Sequence, residues 1–141
     1  MGAFAEIEKE LRIPSDPAAI QSVETFLQAF VEEAGLNEDQ AGDVLIAGTE
    51  AVNNAILHGN RSQRELEVLI RITCRDRQLR IEVSDQGGGF DDRENPDPTT
   101  PENLLEDSGR GLLIIRHFMD DLRFIQRPDG QTAILIKNLV P

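Results

Sequence analysis

A chain of 141 residues, 39% of them apolar, forms one domain of ordinary size and is long enough to close a single hydrophobic core. A net charge of −12 and the absence of Trp and Tyr argue against DNA, RNA or an anionic membrane as a partner. Cys74 stands alone, which excludes a disulfide framework, and no Cys/His cluster has zinc spacing. With no basic leader and no run of eighteen apolar residues, the sequence reads as cytoplasmic.

Residues 4–13 are expected to form a strand ending in Leu11-Arg12-Ile13, because Pro14 disfavours helix just before it. Asp16 as N-cap and Pro17 at the first position start a helix, with Ile20, Val23, Leu27, Phe30, Val31 and Ala34 as its buried stripe and Gly35 as its stop. Asn37 followed by Gln40 resembles a capping box that opens a second helix, expected to run to His58 and to close at Gly59-Asn60. On this helix Ala41, Val44, Leu45, Gly48, Ala51, Val52, Ala55 and Ile56 make an apolar stripe, while Asp43, Glu50, Asn54 and Leu57 lie opposite. Glu50 and Asn54 are stacked neighbours. A carboxylate and a carboxamide one turn apart suit a Mg²⁺ ion and a hydroxyl that needs a base, although such a face taken alone is more often merely solvated.

From residue 66 the period changes to two, with Leu66, Val68, Ile70, Ile72 and Cys74 on one face of a strand. Asp76-Arg77 makes the turn, and Leu79, Ile81 and Val83 alternate along the return strand. Asp85 shares their parity and is expected to point inward, where a carboxylate needs a strong donor. Gly87-Gly88-Gly89 follows directly, and the missing side chains let a ligand approach the backbone. Arg75, Arg77 and Arg80 cluster near the turn and read as solvated surface.

Residues 90–108 are mostly polar and acidic, with three prolines, and are too long for a neutral connector, so they read as a mobile lid. Gly109-Arg110-Gly111-Leu112 opens a short apolar helix whose free N–H groups and Arg110 suit an anion. His117, on that helix, reads as surface rather than as a phosphate acceptor. Residues 122–126 and 132–137 alternate around Pro128-Asp129-Gly130 as a hairpin. Thr132 shares parity with Ile134 and Ile136 and is expected to face inward, near Asp85 if their strands are neighbours. The order β, α, α, β, β, loop, α, β, β indicates an α+β two-layer sandwich, a mixed, mostly antiparallel sheet covered on one face by helices.

A Glu/Asn helix face, an inward Asp before Gly-x-Gly, and a Gly-rich anion site after a lid together describe a nucleotide pocket. In this order they resemble the ATP-binding domain shared by gyrase, heat-shock chaperone, histidine kinase and mismatch-repair ATPases. The residues from Glu50 to Asn54 look like that superfamily's N box, Asp85 to Gly89 like its first glycine box, and Gly109-Arg110-Gly111 like its second. The chain is most similar to the small bacterial anti-sigma-factor serine/threonine kinases, through Glu-Ala-Val-x-Asn-Ala with a following His, Pro-Glu-Asn-Leu-Leu-Glu leading into Ser-Gly-Arg-Gly-Leu, and Gly-x-Thr-Ala-Ile-Leu-Ile-Lys.

This resemblance implies a fold of the histidine-kinase-like ATPase type over residues 1–141 and a kinase that uses ATP and Mg²⁺. Such a protein phosphorylates a small anti-sigma-factor antagonist in one state, holds a sigma factor in another, and builds a homodimer through an exposed edge. By position, it implies Glu50 as general base, Asn54 as Mg²⁺ ligand, and Asp85 with Thr132 for the adenine amine. Gly87 and Gly89 would let the base sit close, and Gly109, Arg110, Gly111 and Leu112 would hold phosphates. Asn53 stands where a Thr is common, so the alternative is a regulatory module that binds ATP and switches partners without transferring phosphate.

Overall fold

The computed structural model describes residues 4–86 and 109–140. Strand β1 (Ile7–Pro14) leads through Ser15 to a short 3-10 turn at Pro17–Ala19, capped by the Asp16 side chain on the Ala18 N–H, and so into α1 (Ile20–Ala34). Gly35 ends α1 at φ +85°, a left-handed conformation that a Cβ would oppose. The capping box then starts α2 (Glu38–Asn54). Asn37 Oδ1 accepts from the Gln40 N–H at 2.8 Å, and Gln40 Oε1 from the Asn37 N–H at 3.1 Å.

Strands β2 (Glu67–Arg75) and β3 (Gln78–Ser84) form a hairpin whose turn residues Asp76 and Arg77 both have positive φ, the conformation that matches strand twist in two-residue loops. Helix α3 (Gly109–Phe118) precedes the hairpin of β4 (Asp121–Arg127) and β5 (Gly130–Asn138). The five strands lie in the order β1-β2-β3-β5-β4, and every pairing among them is antiparallel. The expected α+β sandwich is present, with an antiparallel rather than a mixed sheet among the described residues.

The helices cover one face. Val68, Ile70, Ile72 and Cys74 of β2, Leu79, Ile81 and Val83 of β3, and Leu135 of β5 meet Val23, Leu27 and Phe30 of α1 and Val44, Ala47 and Val52 of α2 in one core. Leu66 lies outside β2, so the alternating face starts at Val68. The open face carries charge, with Arg71 donating to Glu10 at 2.7–2.8 Å across β1 and β2 and Arg80 to Glu82 at 3.2 Å. Glu10 raises the Arg71 pKa further, a weak stabiliser at so exposed a site. No described helix is long and apolar enough to cross a membrane.

One partly buried ion pair joins the layers. Lys137 of β5 reaches Asp43 of α2 at 2.9 Å and donates to the Phe118 carbonyl at the end of α3 at 3.1 Å. It fastens both helices to the sheet.

Candidate functional site

Helix α2 does not stay α-helical to His58. Residues Ala55–Gly59 form a π-helical turn, a device concentrated at functional sites because it shifts the residues after it around the axis. Here it brings Gly59 against Asp85, so closely that a Cβ on Gly59 would stand 2.6 Å from the Asp85 carboxyl carbon. Asn60, 1% exposed, fixes the exit from the turn: Nδ2 donates to Ser15 Oγ at 2.7 Å and to the Glu67 carbonyl at 3.0 Å, while Oδ1 accepts from the Gln86 N–H at 2.8 Å. The sequence marked Asn60 only as a helix end. Its buried amide ties the residue after β1, the start of β2 and the residue after Asp85 to one point.

Asp85 points inward, as its parity indicated, and is 8% exposed. Its Oδ1 accepts from the Gln131 N–H at 3.1 Å, and its own N–H donates to the Gln131 carbonyl at 2.9 Å. Arg127 Nη2 donates to the Asp85 carbonyl at 3.3 Å. Gly130, at φ +150°, lets β5 begin against that carbonyl, since a Cβ there would lie 2.9 Å from the carbonyl carbon.

Thr132 is a correction. The register pairs Ser84 with Thr132 and Val83 with Ala133, so Gln131, Ala133 and Leu135 share the helix-covered face with Asp85 while Thr132 lies on the opposite face. Its hydroxyl meets Ser84 Oγ at 2.8 Å. The residue beside Asp85 is Gln131, 6% exposed, which sequence reasoning missed.

Glu50 and Asn54 do converge. A Cβ on Gly111 would stand 3.0 Å from Glu50 Oε2 and 3.2 Å from Asn54 Oδ1, so the first turn of α3 sits directly over this pair. Leu112, on the same turn, is buried. Gly109 and Arg110 open α3, which confirms a glycine-started helix there, but the Arg110 side chain lies outside the described residues. Gly87, Gly89 and the lid over residues 90–108 also lie outside them.

Between α2, α3 and the sheet is a cleft. Its walls are apolar, with Val83, Leu112, Ile115 and Phe124 among them, and its polar lining consists of Asn54, His58, Asp85 and Gln131. Neither Glu50 nor Gly111 is part of its lining; Asn54, which meets Gly111 as Glu50 does, is. Two buried side-chain atoms of this lining have no hydrogen-bond partner, the donor Asn54 Nδ2 and the acceptor Gln131 Oε1. Orphans of this kind are rare in native interiors and indicate a ligand or water that completes them. An apolar slot with an inward carboxylate and orphaned amides fits a flat heterocycle that carries polar groups on its edge. Among the described residues no three His, Cys, Asp or Glu side chains gather as a metal cage.

Residues 13–137 match the histidine kinase-like ATPase domain family. The chain is also 30% identical over 136 residues to the serine-protein kinase RsbW of Bacillus subtilis (strain 168), which covers 92% of this chain and 84% of that protein. It belongs to the anti-sigma serine-protein kinase family of histidine kinase-like ATPases. An anti-sigma F factor of Bacillus licheniformis is 34% identical over 116 residues, 79% of this chain and 78% of its own. The crystal structure of the RsbU and RsbW domains of Rv1364c from Mycobacterium tuberculosis superposes with a TM-score of 0.71 at 20% identity, over 96% of this chain and 33% of that longer one, and so shares the fold. ATP use is the property of this ATPase family, and the cleft between α2, α3 and β3 is where this chain's carboxylate, amides and glycines meet.

Proposed function

We propose that the chain is an ATP- and Mg²⁺-dependent serine/threonine protein kinase that acts as an anti-sigma factor in the cytoplasm. It phosphorylates a small antagonist protein in one state and sequesters a sigma factor in another. The names of its relatives, serine-protein kinase and anti-sigma factor, support this reading. The observation that carries it is the meeting of Glu50 and Asn54 at Gly111, beside an apolar cleft with Asp85 buried at its end.

In this reading Asp85 accepts the adenine amine, and Gly87 and Gly89 leave room for the base against the backbone. Gly109, Arg110, Gly111 and Leu112 receive the phosphates at the start of α3, where N–H groups and the helix dipole favour negative charge. Asn54 is a ligand for Mg²⁺, which habitually takes few protein ligands and completes its shell with phosphate oxygens and water. The bound nucleotide supplies the phosphoryl group, and the metal supplies the neutralising charge. Glu50 takes the proton of the partner's serine or threonine hydroxyl, the one proton transfer that positioning alone does not provide. Thr132 has no part in this site. Residues 1–141 act as one domain, with residues 90–108 as a lid over the phosphates.

The test is transfer of labelled γ-phosphate from Mg²⁺-ATP into proteins of the source cell's extract. Acid-stable label on a small protein is the expected result. Acid-labile label, the mark of phosphohistidine, or no label at all from protein that binds ATP, would contradict it.

A further inference from the structure

The peptide bond that joins Asp85 to Gln86 lies just past the end of β3 at Ser84, and two side chains hold it. Its carbonyl accepts from Arg127 Nη2 at 3.3 Å, and its N–H donates to Asn60 Oδ1 at 2.8 Å. The Asn60 amide has one workable orientation. The Gln86 N–H can only donate and the Glu67 carbonyl can only accept, so Oδ1 must face the first and Nδ2 the second. Ser15 Oγ takes the remaining N–H of that amide. The backbone N–H of Asn60 closes the π turn on the Ala55 carbonyl at 2.8 Å and so holds Gly59, the residue set against the Asp85 carboxylate. One residue thus fixes two neighbours of Asp85, Gly59 through its main chain and Gln86 through its side chain.

We propose that Asn60 is a positioning residue for nucleotide binding, which aims the Asp85 carboxylate by holding the Asp85–Gln86 peptide. This rests on the nucleotide reading above and goes beyond it, because that reading gives Asn60 no part. A peptide group is a rigid plane, so holding its N–H and its carbonyl fixes ψ of Asp85 and φ of Gln86. The Gln131 main chain anchors Asp85 from the other side, through the Asp85 N–H and Oδ1. Without Asn60 the Gln86 N–H is left without its acceptor in a partly buried place, and the plane turns to find another. Asp85 then stays in the cleft but loses its set direction, which a recognition group must keep to within about half an ångström. The loss falls on recognition of the base, not on the phosphate contacts at the start of α3.

The test measures base selectivity beside stability. Dissociation constants for ATP and for inosine triphosphate, which carries a keto oxygen in place of the amine, are determined on the intact chain, Asn60→Ala and Ser15→Ala, each well below its melting temperature. Ser15, 0% exposed, is a partner of the same amide, and its loss leaves the Gln86 contact in place. Both variants are expected to melt earlier than the unaltered chain. Only Asn60→Ala is expected to lower the ratio of ATP to inosine triphosphate affinity, by about tenfold, the effect of one misdirected hydrogen bond to a charged group. A purely structural role weakens both nucleotides alike and leaves that ratio where it was. An unchanged ratio in Asn60→Ala, an equal fall in Ser15→Ala, or no preference for ATP in the unaltered chain overturns the proposal, while nucleotide binding itself still stands. If the unaltered chain binds neither nucleotide, the proposal and the nucleotide reading fall together. Should Asn60→Ala not fold, Arg127→Ala frees the carbonyl of the same peptide from a partly exposed position. It is expected to lower the ratio by about threefold or more, the contact being the longer of the two, and an unchanged ratio there overturns the proposal as well.

Discussion

Asp85 is seated by the backbone of β5 and by the room that two glycines leave. Asp85→Asn keeps the shape and the Gln131 N–H contact and loses the charge, so ATP affinity is expected to fall by about 10–100-fold with the melting temperature nearly unchanged. Equilibrium binding with a thermal melt as control checks this. Gly59→Ala inserts a methyl group into the space of the Asp85 carboxylate and is expected to cost about 1–3 kcal/mol of stability together with nucleotide affinity. By contrast Thr132→Val removes only the hydroxyl that meets Ser84 on the far face, and nucleotide affinity is expected to stay within about twofold. A large loss there would contradict the register reported above.

Thr132 also shows where the residue pattern stops being informative. On β3 the alternation is clean, Leu79, Ile81 and Val83 inside and Arg80 and Glu82 outside, and Asp85 could be placed by counting. On β5 both parities are apolar and buried, Ile134 as well as Leu135, because this strand lies between β3 and β4 and is shielded on its open face too. Parity then cannot say which set meets the helices. Only the pairing of Val83 with Ala133 does, and that is a long-range fact. The π turn at Ala55–Gly59 was hidden for a similar reason, since it sets Gly59 against Asp85, a residue far away in sequence, and no local breaker marks it.

At the scale of elements, local chemistry sufficed. The Asn37–Gln40 box, the Gly35 stop and the Val23-Leu27-Phe30-Val31-Ala34 stripe all form as their residues dictate, because each depends on neighbours within about one or two turns. Asn37→Ala is accordingly expected to destabilise the protein by about 1 kcal/mol in urea unfolding, with no change in nucleotide selectivity. The β2–β3 turn offers the opposite sign. Arg77 holds φ +61° without being glycine, and Arg77→Gly relieves that strain at some entropic cost, for a net gain of about 0.5–1 kcal/mol. The Asn60 amide and the Lys137–Asp43 pair join elements far apart in sequence, so neither was visible before the fold was known.

At the scale of the whole molecule, the single core holds one titratable group that bears on stability at alkaline pH. Burial, and to a lesser degree Glu6, pushes the Cys74 thiol above its ordinary value of 9.0. The folded chain therefore keeps a proton that the unfolded chain releases. The stability this contributes is complete below about pH 9 and is lost as pH rises past it toward the folded value. Cys74→Val is expected to lose less stability than the unaltered chain between about pH 8 and about pH 10.5, as measured by urea unfolding at each pH. Parallel pH profiles would contradict this.

The same core supports the cleft on which the proposed chemistry depends, and the most direct measurement of that chemistry is phosphotransfer by Glu50→Gln beside its ATP affinity. The substitution keeps the size of the side chain under Gly111 and removes its ability to take a proton. The expected result is transfer to the antagonist protein slowed by about 10²–10⁴-fold, with ATP affinity within about twofold of the unaltered chain. Transfer at an undiminished rate would show that Glu50 is not the base, and the account of this site as a kinase centre built on α2 would fail.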